Sequence, residues 1–298
     1  QVAPCLGLPP EQVRVHLAGV GGAFGGREDL SMQIHGALLA LQTKRPVKIV
    51  YNREESFFGH VHRHPARIWC EHRATRAGEL VNVRMRILLD GGAYASSSTA
   101  VTSNAASFAL GPYRVANALI ESTCVYTNNP PCGAMRGFGA VQTCFATEAQ
   151  MDKLAAALGI DPVELRLLNA LGQGDTLPTG QVIEGTLPTA EVIRRAAALP
   201  VPEPESLPRE AIRLPGGAGN TTRGEGVQRG VGFAVGYKNI CYSEGFDDYT
   251  AARVILRADG SAVVHCASAE VGQGVTDVIL QVARTELGTD DVVLAPPG

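Results

Sequence analysis

The stretch Gly21-Gly22-Ala23-Phe24-Gly25-Gly26-Arg27-Glu28 decides how this chain is read. Glycine loses more conformational freedom on ordering than any other residue, so glycine this dense marks a backbone that bends sharply or approaches something closely. Two further clusters pair glycine with a charged or amide side chain in the same way: Ala134-Met135-Arg136-Gly137-Phe138-Gly139 and Glu270-Val271-Gly272-Gln273-Gly274. Together they fit a large polar or anionic cofactor held by main-chain N–H groups and a few fixed donors. A nucleotide P-loop is excluded. Gly21 and Gly26 have its spacing, but Arg27 and Glu28 replace the required Lys and Ser or Thr. The dinucleotide pattern fails as well, since Phe24 stands where the third glycine after Gly19 and Gly21 is needed.

The 298 residues carry a net charge of -3 with mixed signs, eight Phe, seven Tyr and one Trp. That balance argues against nucleic-acid binding, and no apolar run reaches the ~18 residues that span a bilayer. Seven scattered cysteines never form a Cys-x-x-Cys pair, which is the usage of a reducing, cytoplasmic compartment and offers no zinc or iron–sulfur site. His60-x-His62-x-His64 lacks a neighbouring Cys or Asp to complete a ligand set and reads as a loop or exposed edge. Glu54-Glu55 reads as a solvated acidic patch.

The fold class read here is α+β, with mixed sheets and packed helices. Val13–Leu17 and Val47–Tyr51 read as strands, and Leu30, Ile34, Ala37, Leu38 and Leu41 have helical spacing. Ile68–Ala74 and Val81–Leu89 form a hairpin across Ala77-Gly78-Glu79, and Leu119–Tyr126 is a further strand. A helix runs over Thr147–Leu158 to Gly159, and a second starts at Asp161-Pro162-Val163-Glu164 as a capping box. Prolines 200, 202, 204, 208 and 215 precede Gly216-Gly217-Ala218-Gly219 and mark a linker. The expected division is a first domain over 1–199, a linker over 200–229 and a second domain over 230–298. In the last, Gly230–Tyr237, Ala251–Leu256 and Ala262–Ala267 read as strands and Gly274–Leu287 as a helix, with no internal repeat. Both ends have the look of a longer polypeptide.

In this order and spacing, the three clusters resemble the molybdenum-binding catalytic subunit of the xanthine dehydrogenase and aldehyde oxidase family. Arg45-Pro46-Val47-Lys48, Gly91-Gly92-Ala93-Tyr94, Asn128-Asn129-Pro130-Pro131 and Tyr237-Lys238-Asn239 extend the resemblance along nearly the whole chain. The stretch from Val125 to Gln181 is most similar to the bacterial purine or xanthine hydroxylase branch.

The resemblance implies two molybdopterin-binding domains and hydroxylation of an N-heteroaromatic substrate such as xanthine. The alternatives are an aldehyde oxidoreductase or a non-catalytic homologue. It places Gly22, Ala23, Phe24, Gly25, Ala134, Met135, Arg136, Gly272 and Gln273 at the cofactor, with Phe24 and Arg136 nearest the metal. Glu28 and Phe138 would bind substrate, with Tyr242 or Ser243 as the opposite wall. The catalytic base, a Glu, is expected beyond Gly298. The cofactor would be molybdopterin in its cytosine dinucleotide form, carrying molybdenum. Electrons would leave through [2Fe-2S] clusters and FAD on partner subunits, in a higher oligomer. Ala23 stands where Gly is commoner in the family, Met135 where Phe is, and Asn104 falls near a second substrate Arg of purine-oxidising relatives.

Overall fold

The computed structural model describes residues 1–201, 231–239 and 249–295. The chain opens with α1 (Val2–Leu6) and a 3-10 turn at Pro10–Gln12, followed by α2 (Gln33–Thr43) and α3 (Arg53–Gly59). A first sheet then forms from β1 (Ala66–Ala74), β2 (Leu80–Gly92) and β3 (Ala118–Tyr126), with α4 (Ser98–Ser107) between the last two. Helices α5 (Ala140–Leu158), α6 (Pro162–Asn169) and α7 (Thr189–Ala197) follow. A second sheet consists of β4 (Ala252–Leu256), β5 (Ala262–Cys266) and β6 (Val292–Leu294), with α8 (Val275–Leu287) between the last two. The mixed α+β class read from the sequence is what the structure has.

The hairpin forms because alternation commits one face of β2 to the interior. Val83, Met85, Ile87 and Leu89 are buried there, while Arg84 and Arg86 on the other face pair across to Glu71 and Trp69 of β1. Met85, Ile87 and Leu89 join Val101, Ala105 and Ala109 in one core cluster. A second cluster gathers Leu80, Tyr113, Met151, Ala155 and Leu165, and a third, under the second sheet, holds Ala262, Val264 and Val292.

Both sheets have one topology. β2 pairs antiparallel with β1 and parallel with β3, and β5 pairs antiparallel with β4 and parallel with β6. Each is therefore a hairpin, a crossover helix and a parallel strand. No sequence repeat accompanies this recurrence, because a topology constrains periodicity and turns rather than residue identity. In each sheet one connection leaves the carboxyl end of the central strand and enters the crossover helix. That is the end where ligands bind in parallel arrangements.

Several expectations are corrected. Val13–Leu17, Val47–Tyr51 and the described part of the 230–237 segment are not strands, because among the described residues no neighbour pairs with them. The helix expected from Thr147 starts at Ala140. Asp161 does cap α6, accepting from Val163 N at 2.8 Å and Glu164 N at 3.1 Å. The full capping box sits instead at α3, where Asn52 and Glu55 bond reciprocally at 2.8 Å, so Glu55 is not merely solvated. His64 is buried, with Nε2 2.8 Å from Ser98 Oγ, rather than exposed.

Segment 231–239 is fastened by a buried polar network. The fully buried Arg166 pairs with Glu148 at 2.9 Å and with Asp152 at 2.8 Å. Tyr113 donates to Glu148 Oε1 at 2.5 Å, and Val235 N–H donates to Glu148 Oε2 at 2.9 Å. The Arg166 guanidinium also lies 5.9 Å from the centre of the Phe233 ring.

Candidate functional site

The first glycine loop closes on itself through Gly26 N to Ala23 O at 2.8 Å and Glu28 N to Gly25 O at 3.3 Å. Phe24 adopts φ +54°, a conformation that costs a bulky residue energy and is held only by surrounding contacts. One such contact is the Phe24 carbonyl, which accepts from Arg136 N at 2.9 Å. Another is the Arg136 guanidinium, 5.8 Å from the centre of the Phe24 ring. A Cβ on Gly25 would lie 2.6 Å from Ala134 O, so the first two loops touch backbone to backbone.

The second loop turns through Gly137, Phe138 and Gly139 at φ of +92°, +49° and +96°. Phe138 is half-buried and packs against the cluster of Met85, Ile87 and Leu89. Part of its ring therefore serves the core, and only the remainder can face a flat ligand. Ala134 is buried, whereas Met135 and Arg136 are exposed. Arg63 Nη2 donates to the Arg136 carbonyl at 2.6 Å and fixes the loop from behind. The Arg136 guanidinium makes no ion pair among the described residues, and a guanidinium so placed can offer a fork of donors to an anion.

The third loop meets the first. A Cβ on Gly272, at φ +101°, would lie 2.5 Å from Gly22 N. Its N–H groups, however, are already engaged. Glu270 Oε1 accepts from Gly272 N at 2.7 Å and Gly274 N at 3.2 Å, and Oε2 accepts from Thr276 N at 3.1 Å. These donors, Thr276 first, hold the Glu270 carboxyl below its ordinary range. The amide of Gln273 accepts from Val271 N at 2.7 Å and donates to Ala269 O at 2.8 Å, leaving one Nε2 hydrogen unused. The expectation of free main-chain donors is corrected for this loop. A carboxylate from the chain itself occupies the start of α8.

Glu28 lies at the end of the first loop, and partial burial together with the neighbouring Asp29 charge raises its carboxyl above the usual range. Asp29 accepts from Ser96 Oγ at 2.8 Å on both oxygens. Sequence reasoning missed Asp29, Arg63 and Ser96. Arg63 was legible only as the residue between His62 and His64, and Ser96 lies just past Gly91-Gly92-Ala93-Tyr94. Tyr242 and Ser243 fall outside the described residues. No group of three or more His, Cys, Asp or Glu side chains that could hold a metal occurs among the described residues.

The three loops make a cradle walled by backbone. At Gly19, Gly21 and Gly274 a Cβ would meet no atom of the described residues within 4 Å. Open space beside glycine backbone, next to an Arg136 guanidinium with no ion pair among the described residues, fits a bulky anionic cofactor that approaches the main chain closely.

Comparison with known proteins agrees with that chemistry. Residues 1–170 match the family model described as a molybdopterin cofactor-binding domain, and residues 215–295 match a second model of the same description. The nicotinate dehydrogenase large molybdopterin subunit of Eubacterium barkeri is 46% identical over 196 residues, covering 66% of this chain and 46% of that protein. The xanthine dehydrogenase molybdenum-binding subunit of Escherichia coli O157:H7 is 33% identical over 292 residues, covering 96% and 37%. The chain thus spans less than half the length of these relatives. The aldehyde oxidoreductase structure from Desulfovibrio desulfuricans superposes with a TM-score of 0.79 at 28% identity, over 99% of this chain and 32% of that one. The fold recurs in quinoline 2-oxidoreductase from Pseudomonas putida, at a TM-score of 0.74 and 24% identity, over 98% and 38%. The chain belongs to the molybdopterin-binding domains of the xanthine dehydrogenase and aldehyde oxidase family.

Proposed function

We propose that this chain forms part of the molybdenum site of an oxidoreductase that hydroxylates flat N-heteroaromatic compounds. The observation that supports this most is the convergence of the three glycine loops beside Glu28. Bound in the cradle, the cofactor would supply the oxygen-transfer and two-electron chemistry. The chain's own share is grip and orientation. Arg136 offers donors to anionic oxygens, Gln273 offers its remaining amide hydrogen, and Gly22, Ala23, Phe24, Gly25, Ala134, Met135 and Gly272 bring backbone within contact distance. Phe24 and Arg136 are the residues proposed nearest the metal.

Glu28 is suited to a ring nitrogen. Its raised proton affinity lets it share a proton with a heterocycle rather than simply repel electron density. Phe138 would stack the uncovered part of its ring on the substrate, with Tyr242 or Ser243 opposite. A Glu outside this chain would act as base. Partner polypeptides with [2Fe-2S] clusters and FAD would take the electrons, and the pterin would be the cytosine dinucleotide. The described cysteines are all free thiols, which suits a reducing compartment such as the cytoplasm.

The test is elemental analysis of the full-length protein purified with its partner subunits, with xanthine and nicotinate as trial substrates. About one molybdenum per chain is expected, and its absence from cells that supply the cofactor would overturn the reading. Glu28→Ala should slow hydroxylation by roughly 100-fold or more while leaving molybdenum bound, as expected for a lost proton-sharing partner. Loss of the metal would instead make Glu28 structural. Unimpaired oxidation of aliphatic aldehydes by that variant would favour the aldehyde oxidoreductase reading, which the likeness to the Desulfovibrio structure keeps open.

A further inference from the structure

We propose that Ser96 and Asp29 form a clamp that positions Glu28 for substrate, a role that rests on the reading of Glu28 given above. Three observations lead to it. First, Ser96 sits in the connection from β2 to α4. That place in the first sheet is the topological counterpart of the β5–α8 connection that carries Gln273 in the second. If the connection at one sheet faces the ligand, its counterpart at the carboxyl end of the other central strand is placed to do likewise.

Second, Ser96 holds φ +42°, a left-handed conformation in which glycine, Asn or Asp is the ordinary choice. Keeping a serine there costs conformational energy, and the hydroxyl supplies a compensating interaction. It donates to Asp29 from 2.8 Å, equidistant from both carboxylate oxygens. Such a bond to an ionised acceptor is stronger than a neutral one.

Third, the clamp closes against backbone that leads into the second loop. A Cβ on Gly133 would lie 2.7 Å from Ser96 Oγ and 2.8 Å from Asp29 Oδ2. Asp29 and Ser96 thus lie close against the Gly133 backbone, and the Ser96 hydroxyl holds the Asp29 carboxylate there. Glu28 is bounded by Asp29 on one side and by its own bond to Gly25 O on the other. The clamp also borders a cleft of about 270 Å³ walled by Phe58, His60 and Tyr94, so an aromatic compound has room to approach.

A positioning residue differs from a turn residue in one measurable way. Ser96→Gly removes the hydroxyl and relieves the backbone strain together. A turn residue would tolerate that change or gain stability from it, whereas the clamp would be lost. The experiment uses the full-length enzyme with its partner subunits, oxidising xanthine and nicotinate with a dye as electron acceptor. Ser96→Gly, Asp29→Asn and the double variant are compared for KM, kcat, molybdenum content and Tm. The expected result is a KM raised about tenfold by each single variant, kcat changed less than threefold and molybdenum retained. The double variant should be no worse than the singles, because both remove one shared interaction. Unchanged KM in Ser96→Gly, additive effects in the double variant, or loss of molybdenum from either single variant would each overturn the clamp. If Glu28→Ala is itself silent, the underlying reading of Glu28 falls. If Glu28→Ala is crippled while Ser96→Gly is silent, only the clamp does.

Discussion

Asp90 shows how single side chains maintain the architecture that carries the site. At the end of β2 its carboxylate accepts from Thr127 Oγ1 at 2.6 Å, from Gly92 N at 2.9 Å and from Asn129 Nδ2. The Thr127 hydroxyl and the Gly92 N–H hold its carboxyl below the ordinary range. A folded-state value below the unfolded one stabilises the protein above the unfolded pKa, and that contribution is lost as pH falls through the folded value. Asp90→Asn should therefore cost no more than about 1 kcal/mol at neutral pH, because solvent screens the partly exposed carboxylate. In urea melts, the gap to the parent protein should narrow below about pH 4, near the ordinary Asp value. A gap independent of pH would show that shape, not charge, matters at this position. Glu28, Phe24 and Arg136 were legible as candidates because each stands inside a local motif. Asp90, Ser96 and Arg63 were not, because their partners lie 37, 67 and 73 residues away and spacing says nothing about such pairs.

Among elements, the glycine loops gave the clearest local signal and the least complete one. Glycine density announced close approach, but not to what. The approach turns out to be partly loop to loop, Gly25 to Ala134 and Gly272 to Gly22. Gly272→Ala should strain the backbone at φ +101° and drive a methyl group against Gly22 N. The expected outcome is loss of molybdenum from the full-length enzyme with an unchanged far-ultraviolet circular dichroism spectrum. Full metal content in that variant would mean that the contact is incidental. Strands with strong alternation were legible, as β1 and β2 show. Val13–Leu17 and Val47–Tyr51 were misread because an apolar run needs a neighbour to become a strand, and neighbours are decided by tertiary structure. α4 went unread for the opposite reason. Its Ser98-Thr99-Ala100-Val101-Thr102-Ser103 start is poor in helix formers, and packing of Val101 and Ala105 on the sheet sustains it.

At the scale of the molecule, the network around Arg166 ties distant parts of the chain together. Phe233 and Val235 are held by Arg166 and Glu148, which belong to α6 and α5. Removing one member of a buried ion pair leaves the other charged and unpaired, so Arg166→Met should destabilise the protein by about 3–5 kcal/mol. Pairing it with Glu148→Gln should recover part of that loss in chemical denaturation. A fully additive double variant would argue against coupling. The class of fold was legible from the mixture of periods, whereas the recurrence of one topology in both sheets was not, since it leaves no trace in residue identity. The backbone walls of the cradle carry a consequence for change over time. If glycine main chain does the gripping, as proposed above, few side chains there are open to alteration. Variety in what is oxidised must then be written elsewhere, at positions such as 28, 96 and 138. Of these, 28 lies at the end of the first loop and is the position a designer would rewrite first, whereas 138 also packs on the core and 96 braces the backbone leading into the second loop.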